Sequence, residues 1–166
     1  MEDGPHLHRT DVHSPERRSF NMSRIRGRDT KPEILIRQGL HARGYRFRLQ
    51  GRLLPGRPDI VLSKWRTVVL VHGCFWHGHD CPMFRLPATR PDFWRDKIDA
   101  NRARDRRAAD ALAAAAWRRL TVWECALKGR ARLPAGAVLD VCEQFLRGVE
   151  DQVEIQGQWD ALDGRP

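Results

Sequence analysis

Residues 71–81 read VHGCFWHGHDC and place two cysteines and three histidines within eleven positions. Cys74, His79 and Cys81 have the spacing C-x4-H-x-C, and Cys125 follows a short apolar run further along the chain. Three thiolates and one imidazole are a ligand set that zinc prefers, and four protein ligands leave no open position on the metal. The sequence therefore predicts a structural metal site that ties two strand ends together.

One ligand of this site stays open on spacing alone, because His77 fits as the fourth ligand as well as His79 does. The remaining cysteine, Cys142, falls on a predicted helix with no partner nearby, so we interpret it as an ordinary thiol. The spacing of the four cysteines does not resemble a secreted disulfide framework.

The chain is strongly basic, with 30 Lys and Arg against 21 Asp and Glu, a formal net charge of +9 and a pI of about 10.4. Lysines occur only at positions 31, 64, 97 and 128, so arginine dominates. Arginine suits bidentate contacts to phosphate. We therefore expect a nucleic-acid partner, although a G- and C-rich genome would also favour arginine.

The 166 residues suit one domain with a proper core. No apolar run approaches the roughly 18 residues of a membrane span, and the polar N-terminus lacks the apolar segment of a signal peptide. We expect a cytoplasmic protein with no membrane partner.

The order of predicted elements indicates an α/β fold with a mixed central sheet flanked by helices. Thr30 to Glu33 form a capping box with Pro32 in the first turn, which predicts a helix that ends at Gly44. The other expected elements are a strand at 45–49, a hairpin of strands at 59–62 and 67–71, a helix at 92–116, a strand at 120–123 and a helix at 135–146.

The composition along the chain predicts four segments. Residues 1–16 are polar and are expected to be a disordered tail, and residues 17–29 form a basic arm that contacts DNA. Residues 30–148 hold all the predicted helices and strands and are expected to form the single folded domain, and the acidic, polar residues 149–166 are expected to be a flexible C-terminal tail.

Asp59 opens a buried strand, a usual place for a magnesium ligand in nucleases. Many phosphodiesterases carry a second carboxylate and a lysine on the following strand, but here that strand reads VVLVH. A second protein ligand would then be a backbone carbonyl, and a histidine would serve as general base.

Seven motifs resemble, in order, those of the very short patch repair (Vsr) endonucleases, which nick DNA beside a T:G mismatch left by deamination of 5-methylcytosine. They cover about residues 17–130 and read RSFNM, DTKPE, LPGRPDIV, VHGCFWHGHDC, PATRPDFWRDKI, NRARDRR and VWECALKG. The resemblance implies a restriction-endonuclease-like core with a structural zinc site and a hydrolase that nicks one strand 5' of the mismatched T.

The resemblance also implies roles for individual residues. Magnesium is bound by Asp59 and by the backbone carbonyl of Val71, where the family commonly has threonine. The zinc ligands are Cys74, His79, Cys81 and Cys125, which selects His79. The catalytic residues are His77 as general base, Asp105 that orients it, Glu33 that holds metal-bound water, and His72 near the scissile phosphate.

Four apolar side chains acquire a function from the same resemblance. Phe75, Trp76 and Trp94 match a wedge that enters the duplex from the major groove, and Met22 matches a residue that inserts from the minor groove. Unstacking a base step costs a few kcal/mol, and less at a mismatch, so the wedge contributes to selectivity.

The implied partner is double-stranded DNA with a T:G mismatch, followed by mismatch repair proteins and a DNA polymerase. We expect a monomer associated with the bacterial nucleoid. Two alternatives are a restriction-type endonuclease without mismatch preference and a non-catalytic, zinc-stabilised DNA-binding module. A restriction-type endonuclease would have no need of the aromatic wedge. A non-catalytic DNA-binding module would have no need of Asp59 and His77.

Overall fold

The computed structural model describes residues 27–159. A five-stranded mixed sheet has the strand order β1-β2-β3-β4-β5, in which β1, β2 and β3 are antiparallel and β3, β4 and β5 are parallel. The elements are α1 (Lys31–Ala42), β1 (Arg48–Leu49), β2 (Ile60–Leu62), a 3-10 turn (Ser63–Trp65), β3 (Thr67–His72), α2 (Pro91–Ala114), β4 (Arg118–Trp123), α3 (Glu124–Leu127), α4 (Ala135–Arg147) and β5 (Gln152–Ile155). The predicted mixed α/β architecture is confirmed.

Helix α1 begins where the capping box predicts. The Thr30 hydroxyl accepts a hydrogen bond from the backbone N–H of Glu33 at 3.4 Å, and Glu33 Oε2 accepts one from the N–H of Asp29 at 2.8 Å. One N–H group that the first turn of the helix leaves unpaired is thereby satisfied, and the residue before the N-cap is tied to the helix. This start fixes Glu33, which is only 7% exposed, at the edge of the sheet.

The two faces of the sheet bury different side chains, because alternate residues of a strand point to opposite sides. On one face Ile60, Val69 and Leu120 pack in the main core with α1 and α4. On the other face Val68 packs with Leu112 of α2 in a smaller cluster. Among residues 27–159, no helix is both long and apolar enough to cross a bilayer.

The strand predicted at 45–49 is shorter than expected. Only Arg48 and Leu49 pair with β2, and both are exposed. Tyr45 is instead buried and packs against Trp65, with ring centroids 5.6 Å apart. The alternation at 45–49 therefore reflects one buried anchor rather than a full strand.

The expectation of a flexible tail from residue 149 is wrong for its first part. Gln152–Ile155 forms β5, which pairs in parallel with β4, and Ile155 is 4% exposed. Burial of Ile155 and the backbone ladder stabilise a strand whose sequence is mostly polar. The predicted disordered tail at 1–16, and residues 17–26 of the basic arm, lie outside the described residues.

Candidate active site and metal centre

The carboxyl ends of β3 and β4 lie side by side, because these strands are parallel and His72 pairs with Trp123. The loop after β3 carries Cys74, and the short helix α3 after β4 carries Cys125. Parallel pairing across the α2 crossover therefore brings together side chains that are 51 positions apart (125 − 74). Both candidate sites are built at this edge.

The four predicted zinc ligands converge. The Sγ atoms of Cys74, Cys81 and Cys125 and the Nδ1 atom of His79 all lie within 4.8 Å of one another. His79 Nδ1 is 3.7 Å from the Cys74 sulfur and 3.6 Å from the Cys125 sulfur, whereas His77 is not part of this cluster. We call these four residues the Cys3His cluster; it could hold a metal ion.

The thiols of this cluster are buried and free of disulfides. The hydrogen bond from Cys74 lowers the pKa of Cys125 to about 6, and the same contact raises the pKa of Cys74. Burial raises the pKa of Cys81. Three crowded thiols that share protons are a donor set that a soft divalent cation would stabilise as thiolates, so the residues fit zinc.

The loop between the cysteines turns at Gly78, whose φ of +59° lies in the left-handed region. A Cβ there would come within 2.5 Å of Ile98 Cγ2 and 2.6 Å of Arg102 Nε on helix α2. Arg102 also donates a hydrogen bond to the Gly78 carbonyl. Glycine therefore allows the loop to pack tightly on α2, with His77 and His79 on either side of the turn.

Asp59 lies just before β2, and its Oδ2 accepts a hydrogen bond from the backbone N–H of Val71 at 2.7 Å. The N–H and C=O of a strand residue point to the same side, so the Val71 carbonyl also faces this side of β3. Burial raises the pKa of Asp59, the hydrogen bond from Val71 lowers it, and the nearby charge of Glu33 raises it, which leaves the pKa at about 6. Carboxylate and carbonyl oxygens are the ligands that magnesium prefers, so this pair fits that ion.

Two histidines stack beside this carboxylate. The rings of His72 and His77 have centroids 3.8 Å apart and an interplanar angle of 3°. His77 Nδ1 lies 2.6 Å from Oδ2 of Asp105 on helix α2. Burial raises the pKa of Asp105, but the hydrogen bond with His77 and the charges of His77, His72 and Arg104 together outweigh burial and leave the pKa below its usual value. Burial lowers the pKa of His72 to about 3, so this imidazole is neutral at physiological pH.

Asp105 lines a cavity of about 560 Å³ together with His72 and His77. The other predicted catalytic residues open onto two further cavities that adjoin each other. One, of about 490 Å³, is lined by Glu33, Val71, His72 and His77 among others. The other, of about 390 Å³, contains Asp59, and Gly27 lines both cavities. Sequence reasoning missed three exposed arginines in the Asp59 cavity, which are Arg28, Arg52 and Arg57. Their only signal in the sequence is the run GRPD, which places Arg57 beside Asp59.

The three aromatic residues of the predicted wedge also meet. Phe75 packs against Trp76 and Trp94 with ring centroids 5.1 Å and 5.3 Å away. Phe93, which is 44% exposed, joins Trp94 at 5.3 Å and was missed from the sequence. The Lys97 ammonium lies 6.0 Å above the Trp76 ring. These side chains form a cationic, aromatic surface next to the histidines; the predicted Met22 lies outside the described residues.

Sequence reasoning also missed Trp123, the last residue of β4. Its indole stacks on His79 with centroids 4.0 Å apart and an angle of 15°. It also meets His72 edge to face, with ring centroids 5.3 Å apart. Trp123 therefore lies between the Cys3His cluster and the stacked histidines. The motif VWEC placed it beside Cys125, but nothing in the sequence indicated the stacking.

Three features of this α/β domain are typical of a nuclease. They are a carboxylate beside a main-chain oxygen, a histidine oriented by an aspartate, and a basic, aromatic surface. Residues 10–83 match the family described as DNA mismatch endonuclease Vsr.

Relatives that match over most of this chain agree with that class. This chain is 45% identical to "DNA mismatch endonuclease Vsr" of Escherichia coli over 149 residues, and the aligned region covers 89% of this chain and 96% of that protein. It is 52% identical over 126 residues to "Type II nicking enzyme V.XorIIP" of Xanthomonas oryzae pv. oryzae, covering 76% and 93%. It is 43% identical over 122 residues to "Type II nicking enzyme V.NmeAIP" of Neisseria meningitidis, covering 74% and 87%. The chain belongs to the Vsr family of DNA endonucleases, and the family resemblance drawn from the motifs is confirmed.

Proposed function

We propose that this endonuclease nicks one strand of duplex DNA 5' of the T in T:G mismatches that arise from deamination of 5-methylcytosine. The observation that carries the proposal is the common loop of residues 73–81. This loop presents His77, oriented by Asp105, and the wedge aromatics Phe75 and Trp76 side by side. A hydrolytic base and a base-unstacking surface on one short loop suit an enzyme that cuts beside a disrupted base pair.

Magnesium is the proposed catalytic ion, held by the Asp59 carboxylate and the Val71 carbonyl. When bound, it supplies positive charge against the scissile phosphate. Asp59 already faces the main chain of Val71, and its raised pKa of about 6 leaves it mostly ionised at neutral pH. Glu33 lines the neighbouring cavity, where its carboxylate orients water.

His77 is the proposed general base. With Nδ1 donating to Asp105, the Nε2 lone pair is free to accept a proton from the attacking water. A base positioned in this way contributes about 10²- to 10⁴-fold to a hydrolysis rate. His72 stacks on His77 and is neutral, so it can form a hydrogen bond at the scissile phosphate without placing a positive charge beside His77.

The wedge of Phe75, Trp76 and Trp94 is proposed to enter the major groove at the mismatch. Inserted aromatics unstack a base step at a cost of a few kcal/mol, and a mismatched step opens at lower cost. Met22 on the N-terminal arm is proposed to insert from the minor groove. Arg28, Arg52 and Arg57 surround Asp59 and would hold the backbone of the strand to be cut.

The Cys3His cluster is proposed to hold structural zinc. Four protein ligands leave no open position, so the ion would join the end of β3 to the end of β4 and stiffen the loop that carries His77 and the wedge. The sheet and helices would then serve as a restriction-endonuclease-like endonuclease domain that begins at residue 30 and extends past the predicted boundary at 148 to include β5. We further propose a monomer that acts at the bacterial nucleoid and hands nicked DNA to mismatch repair proteins and a polymerase.

Duplex oligonucleotides that carry T:G or the matched C:G at a methyltransferase site test this function. With magnesium, we expect nicks 5' of the T in the T:G duplex and little cutting of the C:G duplex. Equal cutting of both would favour a restriction-type, sequence-specific enzyme. Binding of both duplexes without any cutting would favour a DNA-binding module.

A further inference from the structure

Residues 154–159, which we call the C-terminal clasp, lie against the Cys3His cluster. His79 Nε2 is 3.1 Å from Gln156 Oε1, and the backbone N–H of Gly157 donates to the Cys125 sulfur at 3.4 Å. The edge of the Trp159 ring approaches His79 with centroids 5.8 Å apart. Two of the four proposed ligands are therefore contacted by this segment, in which Gly157 is 32 positions beyond Cys125.

The contact with Gln156 determines which nitrogen of His79 faces the metal. Nδ1 points at the sulfurs of Cys74 and Cys125, so it must carry the lone pair when a metal is bound. Nε2 then carries the proton and donates it to the amide oxygen of Gln156. Such a partner fixes the tautomer and the ring orientation of a histidine ligand. We propose that Gln156 is the positioning residue of the metal ligand His79.

Packing that does not involve the metal holds the clasp in place. Ile155 is buried in the main core, and the N–H of Gln158 donates to the Ala131 carbonyl at 2.8 Å. Gly157 fits so closely that a Cβ would lie 2.6 Å from the Cys125 carbonyl and 2.7 Å from that of Ala131. The amide of Gln156 is thereby presented to His79 from a fixed backbone.

The neighbouring side chain on the same strand face supports the other side of His79. Gln156 directly follows β5, and residues two apart in extended backbone share a face, so Glu154 and Gln156 point the same way. Glu154 Oε2 accepts a hydrogen bond from Trp123 Nε1 at 2.9 Å, and the Trp123 ring stacks on His79. The imidazole of His79 is therefore held at its edge by Gln156 and on its face by Trp123, which Glu154 of β5 positions.

Zinc release from the purified, zinc-loaded full chain tests this role. The protein is mixed with excess 4-(2-pyridylazo)resorcinol, and the absorbance of the zinc complex is followed with time. Gln156→Ala should release zinc about 10-fold faster or more, the scale of outer-shell effects on metal affinity. Gln156→Glu keeps an acceptor at the same place and should release zinc no faster than the unaltered chain.

Gln158→Ala is the matched control, since it changes the same residue type two positions away and keeps the backbone bond to Ala131. Its release rate should equal that of the unaltered chain. The Gln156 side chain is exposed, so its variants should fold, and circular dichroism checks this. With cobalt in place of zinc, Gln156→Ala should also shift the visible absorption bands, because the imidazole ligand reorients.

Equal release rates and equal cobalt spectra for Gln156→Ala and Gln158→Ala would overturn the inference. The inference rests on the proposed metal at the Cys3His cluster. Absence of bound zinc from the unaltered chain would instead overturn that assignment within the proposed function. Neither readout uses DNA or nicking, so the proposed mismatch specificity is tested separately.

Discussion

The Nδ1 atom of His77 lies 2.6 Å from Oδ2 of Asp105, which joins the loop after β3 to the middle of helix α2. The carboxylate holds the imidazole in the tautomer that presents Nε2, and it stabilises the cation formed when His77 accepts a proton. We therefore expect Asp105→Asn to slow single-turnover nicking of a T:G duplex by about 100-fold or more. The measurement is gel-resolved nicking at saturating enzyme, with DNA affinity determined in parallel.

Asp110→Asn is the matched control for Asp105→Asn. It removes an identical charge five positions further along α2, where the side chain is exposed. Its nicking rate should stay within about twofold of the unaltered enzyme, because surface charges at this distance are screened. Equal losses of nicking rate in both variants would show that the rate depends on the negative charge of helix α2 rather than on the orientation of His77.

Ionised Asp59, the form that its proposed function requires, destabilises the folded protein. Its folded-state pKa is raised to about 6 from 3.8, so the folded protein binds this proton more tightly than the unfolded chain does. The resulting loss of stability is absent below about pH 4, grows as the pH rises and is complete above about pH 6, at roughly 3 kcal/mol. Without magnesium, Asp59→Asn should therefore be more stable than the unaltered chain at pH 8, and its advantage should shrink at pH 5.

Thermal melting in magnesium-free buffer at pH 5 and pH 8 measures this difference. Asp59→Asn should also abolish nicking, since the amide is a weak ligand for magnesium. Addition of magnesium should stabilise the unaltered chain and leave Asp59→Asn unchanged. A variant that is less stable than the unaltered chain at both pH values contradicts this account of Asp59.

The local features of the fold could be predicted from the sequence, and the non-local ones could not. Thr30 and Glu33 are three positions apart, so their capping box predicted the start of α1. Strand β5 escaped prediction because its four residues read QVEI and its burial depends on pairing with β4, about 30 positions earlier. A polar segment that gains its order from a distant partner carries no periodic signal of its own.

The same distinction applies to the candidate sites. Cys74, His79 and Cys81 lie within eight positions, and their spacing predicted a metal cluster that the structure assembles. The contact between His79 and Gln156 spans 77 positions, so no spacing rule could indicate it. The pairing of His77 with Asp105 came only from the family resemblance, since 28 positions and a helix separate them.

Cys125 and Cys142 are both fully buried but should respond differently to substitution. Cys125→Ser should lower zinc content and melting temperature together, because it removes a proposed ligand from the Cys3His cluster. Cys142→Ala should lower the melting temperature while zinc content stays unchanged, since Cys142 packs in the main core on α4. Metal analysis and thermal melting of both variants check this. Full zinc content in Cys125→Ser would refute the ligand assignment.

Gly157 and Gly136 provide a test of the close fit of the C-terminal clasp. Gly157→Ala should release zinc faster, because its Cβ would push the clasp away from the Cys125 and Ala131 carbonyls. Gly136→Ala should leave zinc release unchanged, since nothing lies within 4 Å of a Cβ there and alanine favours the helix. Both variants are assayed with the same chelator, and equal rates would show that the clasp tolerates displacement.

Trp76 and Trp65 separate the proposed wedge from ordinary packing. Both carry a lysine ammonium over the ring, Lys97 at 6.0 Å and Lys64 at 5.7 Å. They flank opposite ends of β3, because Trp65 lies before Thr67 and Trp76 follows His72. Trp76 lines the cavity with the histidines, whereas Trp65 packs on Tyr45.

Trp76→Ala should lower T:G nicking by about 10- to 100-fold, because an aromatic side chain stacked on a base contributes roughly 1–3 kcal/mol. The small rate on the C:G duplex should change less, so the ratio of the two rates falls. Trp65→Ala should reduce the melting temperature and leave that ratio intact, since its ring contacts only the protein. Nicking rates of each variant on both duplexes show whether Trp76 contributes to mismatch preference. A preserved ratio in Trp76→Ala would mean that mismatch preference originates elsewhere on the DNA-facing surface.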